Sequence, residues 1–190
     1  MRPIVNSTFV SLDGVQNHME RWHFDYIDVE LQEVVAEQIS AADAMLMGRN
    51  TYEAYAAVWP DRDDAYSRQI NAMRKYVAST TLTEPQWQNT TVLDGDLIDN
   101  VEHLKSEGDG SILMHGFGPV AKTLLAAGLL DELHLWIHPV FAGIGEAPDL
   151  ILPVGVNVAL DHVATRTLRS GVVLLSYRPN DKLGARPRSG

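Results

Sequence analysis

No cysteine occurs among the 190 residues. Disulfide staples, thiolate metal ligands and a cysteine nucleophile are therefore excluded. No apolar run approaches the roughly 18 residues that a bilayer-spanning helix needs, and the opening Met1-Arg2-Pro3-Ile4 lacks the apolar core of a secretory leader. These absences predict a cytoplasmic protein. Positive charge is scarce: 15 Lys and Arg against 25 Asp and Glu give a formal net charge of -10. That balance argues against nucleic acid or an anionic membrane as partner. No Gly-x-Ser-x-Gly elbow is present, which excludes a serine hydrolase of that kind. The histidines form no carboxylate–histidine helix motif, so no metal site is expected.

There is also no internal repeat and no linker-like stretch. The length suits one domain, expected over 1–179. A polar tail over 180–190 has no apolar partner and is expected to be disordered.

What the chain does contain is an alternation of short apolar runs with helical stripes. Residues 4–10, 44–47, 75–78, 91–93, 111–114 and 133–138 read as strands. Asp28 caps a helix with its stripe at Leu31, Val34, Val35 and Ile39, and Asp96 caps another carrying Leu97, Val101 and Leu104. Tyr66, Ile70 and Met73 mark a further helix. Pro119 suits a first helical position and Gly128 the position past a helix end. Two last strands, near 156–168 and 172–178, pair as a hairpin across Arg169-Ser170-Gly171. Strands alternating with helices predict an α/β fold: a three-layer sandwich around a mixed, mostly parallel sheet, with an antiparallel hairpin at the carboxyl end.

Two corners in this pattern carry chemistry. In Met47-Gly48-Arg49-Asn50-Thr51, a strand ends in glycine and a helix follows, with Asn50 read as its N-cap. Gly48 permits close backbone approach, and Arg49 with free N–H groups can hold phosphate. An ordinary strand–helix connection with a solvated Arg49 would show the same residues. The second corner, His115-Gly116-Phe117-Gly118-Pro119, repeats the logic, although a lone Gly-x-Gly also serves a tight turn. Both corners fall at the carboxyl edge of one sheet, and together they predict a nucleotide between them.

Other residues are read two ways. Ser79 and Thr80 end a strand on that same edge and can meet a ribose phosphate or simply make a turn. Asp13 can orient a substrate or relay a proton, or it can hold its own backbone in an Asx turn. Trp22, Phe24, Tyr52, Tyr55 and Trp59 can wall a flat ligand or pack in core and rim. The uncharged face of His134, Trp136 and His138 must lie under a helix or against a second subunit.

The order and spacing of Ser11-Leu12-Asp13-Gly14, Met47 to Glu53, Tyr76 to Leu82, His115 to Gly118, Gly128 to Leu133 and His138 to Gly145 carry a family likeness. The chain resembles the dihydrofolate reductase-like superfamily. Within it, the match is to stand-alone bacterial proteins similar to the reductase domain of bifunctional riboflavin-biosynthesis enzymes. The resemblance implies an NADPH-dependent reductase acting on a small heterocyclic, pterin- or pyrimidine-like, or carbonyl-like substrate, and often a homodimer. It implies cofactor contacts at Gly14, Gly48, Arg49, Asn50, Thr51, Ser79, Thr80, Gly116, Phe117, Gly118 and Pro119. Asp13 and Gly14 would approach the nicotinamide and substrate. Of the aromatic residues that can wall a flat ligand, Trp22, Phe24 and Tyr52 are the ones expected at the substrate. Phe117 and Pro119 depart from the family's usual smaller or more flexible residues. A non-catalytic nucleotide-binding or oligomeric protein retaining the fold is the alternative.

Overall fold

Apolar strands buried on both faces need helices above and below, and the chain supplies them in turn. The structure, a computed structural model, describes residues 1–151 and 157–180. The strands are β1 (Ile4–Ser11), β2 (Ala42–Gly48), β3 (Arg74–Ala78), β4 (Thr90–Leu93), β5 (Ser111–His115), β6 (Glu132–His138), β7 (Ala159–Thr167) and β8 (Val173–Asn180). The helices are α1 (Val29–Ser40), α2 (Arg49–Ala56), α3 (Ala65–Ala72), α4 (Leu97–Ser106) and α5 (Pro119–Ala126). From 181 onward, the tail expected at 180–190 lies outside the described residues, and Asn180 itself closes β8.

All eight strands form one sheet in the order β4-β3-β2-β5-β1-β6-β8-β7. The first six run parallel, and β8 is antiparallel to both β6 and β7. The expected carboxyl-terminal hairpin is present. Its second strand is the one inserted next to β6, which leaves β7 as the edge. One layer packs Ile4, Leu46, Ile112 and Met114 against Val101, Leu104, Phe117 and Leu124 from the α4 and α5 side. The opposite layer holds Met45, Met47, Val77 and Leu113 with Tyr52 of α2 and Ile70 of α3. Farther along that face, α1 lays Leu31 and Val34 on Trp136 and Leu174. The face of His134, Trp136 and His138 is thus covered by a helix. His134 Nδ1 meets Gln38 Nε2 at 2.9 Å, and Trp136 Nε1 donates to Ser7 Oγ at 2.8 Å.

Helix starts divide into two kinds. Asp28 Oδ1 accepts from the Leu31 N–H at 2.8 Å, Asp64 from Ser67 at 3.0 Å, and Asp96 from Ile98 at 2.8 Å. These carboxylates occupy the orphan donors of α1, α3 and α4. By contrast, α2 and α5 begin after Gly48 and Gly118, which offer no side-chain cap. Asn50 is not the N-cap expected from the sequence: helical geometry starts at Arg49, so Asn50 sits one residue inside α2. Arg49 can begin the helix because extended Gly48 ends the strand directly before it.

Two buried polar devices stiffen the sheet. Lys75 is fully buried, and its ammonium donates to the carbonyls of Asn71 (3.0 Å), Met73 (2.8 Å) and Gln88 (3.1 Å) while lying 4.3 Å from the Trp87 ring centre. Burial lowers its pKa to about 8. Lys75→Met keeps the volume but removes the donor, so urea unfolding should show a loss of about 1–3 kcal/mol. Unchanged stability would mean that these carbonyls need no cation.

The second device is a histidine pair. His138 Nδ1 meets the Trp136 carbonyl at 2.9 Å, so it carries the proton there, and its Nε2 accepts from His23 Nδ1 at 2.9 Å. The pair pins the 15–28 loop onto the end of β6. Burial, then the charge of His138, holds His23 down at about 4, against an ordinary value of 6.5. An unfolded histidine binds its proton at the higher pH, so the folded chain carries fewer protons in between. Its contribution is complete above pH 6.5 and is lost as pH falls toward 4. Urea midpoints should drop across that window, and His23→Gln, which keeps a donor but cannot titrate, should flatten the drop. An equally steep drop in the variant would count against the pair.

Candidate functional site

Because β2 and β5 are neighbours in the sheet, the corners that follow them are neighbours too. A Cβ on Gly48 would sit 3.3 Å from Val120 Cγ2 at the start of α5. One on Gly116 would sit 3.9 Å from Thr51 Oγ1 at the start of α2. Gly116 has a φ of 75°, which favours glycine, and its carbonyl accepts from Asn6 Nδ2 at 2.8 Å. The uncapped first turns of α2 and α5 therefore meet across one short gap at the carboxyl edge.

Beside that gap lies a cavity of about 560 Å3. Of the residues expected to meet a cofactor, Arg49, Ser79, Thr80 and Pro119 line it. Asp94 and Thr123, which carry no signal in the sequence, line it as well. Arg49 is half-exposed. Its Nε donates to Glu53 Oε1 at 2.6 Å and its Nη1 to Thr81 Oγ1 at 2.6 Å. Such an exposed pair contributes little stability and is readily exchanged for a stronger anion. Ser79 Oγ accepts from the N–H groups of Thr81 (3.2 Å) and Leu82 (3.0 Å), which shapes the turn at the cavity wall. Asn50 is exposed beside Arg49.

The aromatic ring of Phe117 does not enter the groove. It is buried in the layer beneath α5, and only its backbone faces the loop: Gln16 Oε1 accepts its N–H at 2.7 Å, and Gln16 Nε2 donates to its carbonyl at 3.2 Å. Gln16 thus fastens the 15–28 loop to the second corner, a long-range contact that no local pattern announces.

Asp13 lies at the end of β1. It accepts from the Ser11 hydroxyl (2.5 Å), the Gly143 N–H (2.8 Å) and the Ala142 N–H (3.0 Å). These bonds, the hydroxyl's foremost, lower its pKa to about 2, so it is ionised at neutral pH. It holds the backbone beyond β6, an arrangement different from an Asx turn on itself. The three residues expected around a substrate are not brought together. Trp22 is buried, with its indole N–H on the Asn17 carbonyl at 2.8 Å, and Phe24 is exposed beside it. Tyr52 is buried under α2, where its hydroxyl accepts from the Trp87 N–H at 3.1 Å. Its helical neighbour Tyr55 instead reaches His115, oxygen to Nδ1 at 2.6 Å. Among the described residues no cluster of three or more His, Asp or Glu is arranged to hold a metal ion.

Several known proteins are similar to this chain in sequence or in structure. The uncharacterized protein YyaP of Bacillus subtilis (strain 168) is 28% identical over 184 residues, covering 94% of this chain and 96% of its own length. A putative riboflavin biosynthesis protein from Shewanella sp. PV-4 superposes with a TM-score of 0.69 at 21% identity, covering 95% of this chain and 99% of its own. Dihydrofolate reductase from Enterococcus faecalis, solved in complex with NADP(H), gives a TM-score of 0.64 at 15% identity over 94% of this chain and 97% of its own. The fold is therefore dihydrofolate reductase-like. The RibD C-terminal domain family matches residues 2–174, and the chain belongs to that family.

Proposed function

We propose that this protein is an NADPH-dependent reductase that passes a hydride to a small heterocyclic or carbonyl-like substrate. The observation that carries the reading is the contrast among helix starts. α1, α3 and α4 begin with a capping aspartate, the start of α4 at Leu97 lying on the cavity wall, whereas α2 and α5, which meet beside it, begin after glycine and keep their N-terminal donors for an anion. The cavity volume falls within the usual range for a ligand site of about 300–1,000 Å3. Family membership supports a reductase, as does the likeness in fold to a protein that binds NADP(H).

In this reading Arg49, Asn50 and Thr51 hold phosphate at the start of α2, and Ser79 and Thr80 meet the ribose 2′-phosphate. Gly116, Phe117, Gly118 and Pro119 run along the pyrophosphate through their backbone. Gly48 keeps the two helix starts close enough to share it. The nicotinamide supplies the hydride when bound. Asp13 and Gly14 shape the end of β1 beside it, and Asp13 orients the substrate as a fixed acceptor. Exposed Phe24 borders the substrate from the 15–28 loop, while Trp22 and Tyr52 steady that loop and α2 from within. A homodimer is part of the proposal: edge strand β7 is exposed along nearly its whole length, with Leu160 and Val163 at 38% and 44% accessibility. An open edge of this kind favours pairing with a second copy.

A thermal-shift titration tests the cofactor. NADPH at 100 times its dissociation constant should stabilise the fold by about 2.7 kcal/mol, and no shift would sink the reading. Among the described cavity residues Arg49 is the one cation. Removing a charged hydrogen-bond donor costs about 1.5–3 kcal/mol, so Arg49→Ala should weaken NADPH by roughly 10-fold to 150-fold and NADH much less. Equal losses would show that Arg49 does not read the 2′-phosphate. Sedimentation should return twice the 21.0 kDa chain mass, and a monomer at micromolar concentration would rule out the dimer.

A further inference from the structure

Tyr55 and His115 form a polar pair at the junction of the two corners. Tyr55 lies four residues beyond Thr51 on α2, on the same helical face, and Thr51 is the residue that faces Gly116. His115 is the last residue of β5 and immediately precedes Gly116. Alternation along β5 puts Ile112 and Met114 in the α4–α5 layer, and Leu113 and His115 on the opposite face, that of α1 and α2.

The Tyr55 ring is flanked by Trp59 at 6.0 Å and Trp87 at 6.4 Å, and its hydroxyl bonds His115 Nδ1 at 2.6 Å. A polar pair in such surroundings carries a desolvation cost that two apolar side chains would avoid. Burial holds the His115 imidazole down at about 4 and pushes the phenol upward, as does the neighbouring Tyr66, so both groups are neutral at pH 7. Of these two neutral groups the phenol O–H is the stronger acid and therefore the better donor, which makes Nδ1 the acceptor and leaves the imidazole proton on Nε2. No described residue accepts from Nε2, and His115 keeps part of its surface accessible.

We infer that the Tyr55–His115 pair is the proton relay of the reaction, with His115 Nε2–H touching the substrate heteroatom and Tyr55 positioned behind it. The inference rests on the reductase reading. The substrate it fits is a C=N or C=O group whose nitrogen or oxygen lies on the α1–α2 face of the carboxyl edge. As hydride from NADPH forms the new C–H bond, the π pair moves to the heteroatom and the cofactor is oxidised to NADP+. The heteroatom takes the Nε2 proton as Nδ1 takes the phenol proton. Nδ1 then returns that proton to the phenolate while solvent reprotonates Nε2, which restores the starting pair. Each group ends neutral, so the relay needs no charged histidine at neutral pH.

Two measurements on the full chain test it. Nitrogen-15 NMR of the free protein should show His115 as the Nε2–H tautomer from pH 8 down to about 5, and Tyr55→Phe should abolish the hydrogen-bonded Nδ1 signature. The Nδ1–H tautomer in the unaltered protein would overturn the relay without any turnover being needed. The second measurement follows NADPH oxidation with sepiapterin, a coloured pterin bearing both a ring C=N and a side-chain carbonyl. His115→Gln should lower kcat about 100-fold and Tyr55→Phe about 10-fold, with the KM for NADPH unchanged in both and the solvent isotope effect of the unaltered protein reduced. Equal rates, or no sepiapterin turnover by a protein that NADPH stabilises, would overturn the relay and leave the cofactor reading standing. Failure of NADPH to stabilise the unaltered protein would overturn both.

Discussion

The close approach of Gly48 to Val120 governs the rest of the site. A Cβ at position 48 would lie 3.3 Å from the valine methyl, so any side chain ending β2 would require Val120 to give way by a few tenths of an ångström, and glycine lets α2 and α5 start side by side without that shift. That packing follows from β2 and β5 being sheet neighbours although the 62 residues 49–110 lie between them in the chain. Parallel pairing places both carboxyl ends on one edge, and the two helix N-termini inherit that position. Their partial positive charges add across the gap because neither is answered by a capping carboxylate.

Around this gap, polar side chains do work that apolar packing cannot. Gln16 brackets both the N–H and the carbonyl of Phe117, Asp13 gathers the backbone beyond β6, and His23 meets His138 beneath the same loop. All three tie an irregular segment to the carboxyl edge at fixed points. A loop held by hydrogen bonds has geometry without needing a helix or strand of its own, which suits a segment bordering a ligand. At the opposite edge of the sheet, Arg2 pairs with Asp43 and Lys105 with Asp131, whose carboxylate also accepts from the Ile4 N–H, and these contacts anchor the chain's start.

Strands and helices were legible because their signals are local. Asp28 and Asp96 start helices where a carboxylate precedes an apolar stripe, Pro119 opens α5, and alternation marks β6. Boundaries slipped where geometry overrode propensity: Asn50 looks like a cap, yet extended Gly48 takes the position and moves the helix start to Arg49. The ring of Phe117 is a sharper case. From sequence alone it is a bulky residue in a glycine turn, and only the packing of α5 sends it into the core.

Tyr52 and Tyr55 show the limit most plainly. Three positions apart on one helix, they are indistinguishable as residues in a string. One is buried against Trp87, and the other holds His115 at the junction of the corners. The sequence by itself determined the element types, the two glycine corners and the acidic, cysteine-free character of the chain, because these depend on neighbours a few residues apart. Which corner meets which, where the aromatic rings point and which polar groups find partners were decided only by the tertiary structure. Strand order brings distant residues within hydrogen-bonding range, and no local periodicity encodes that order.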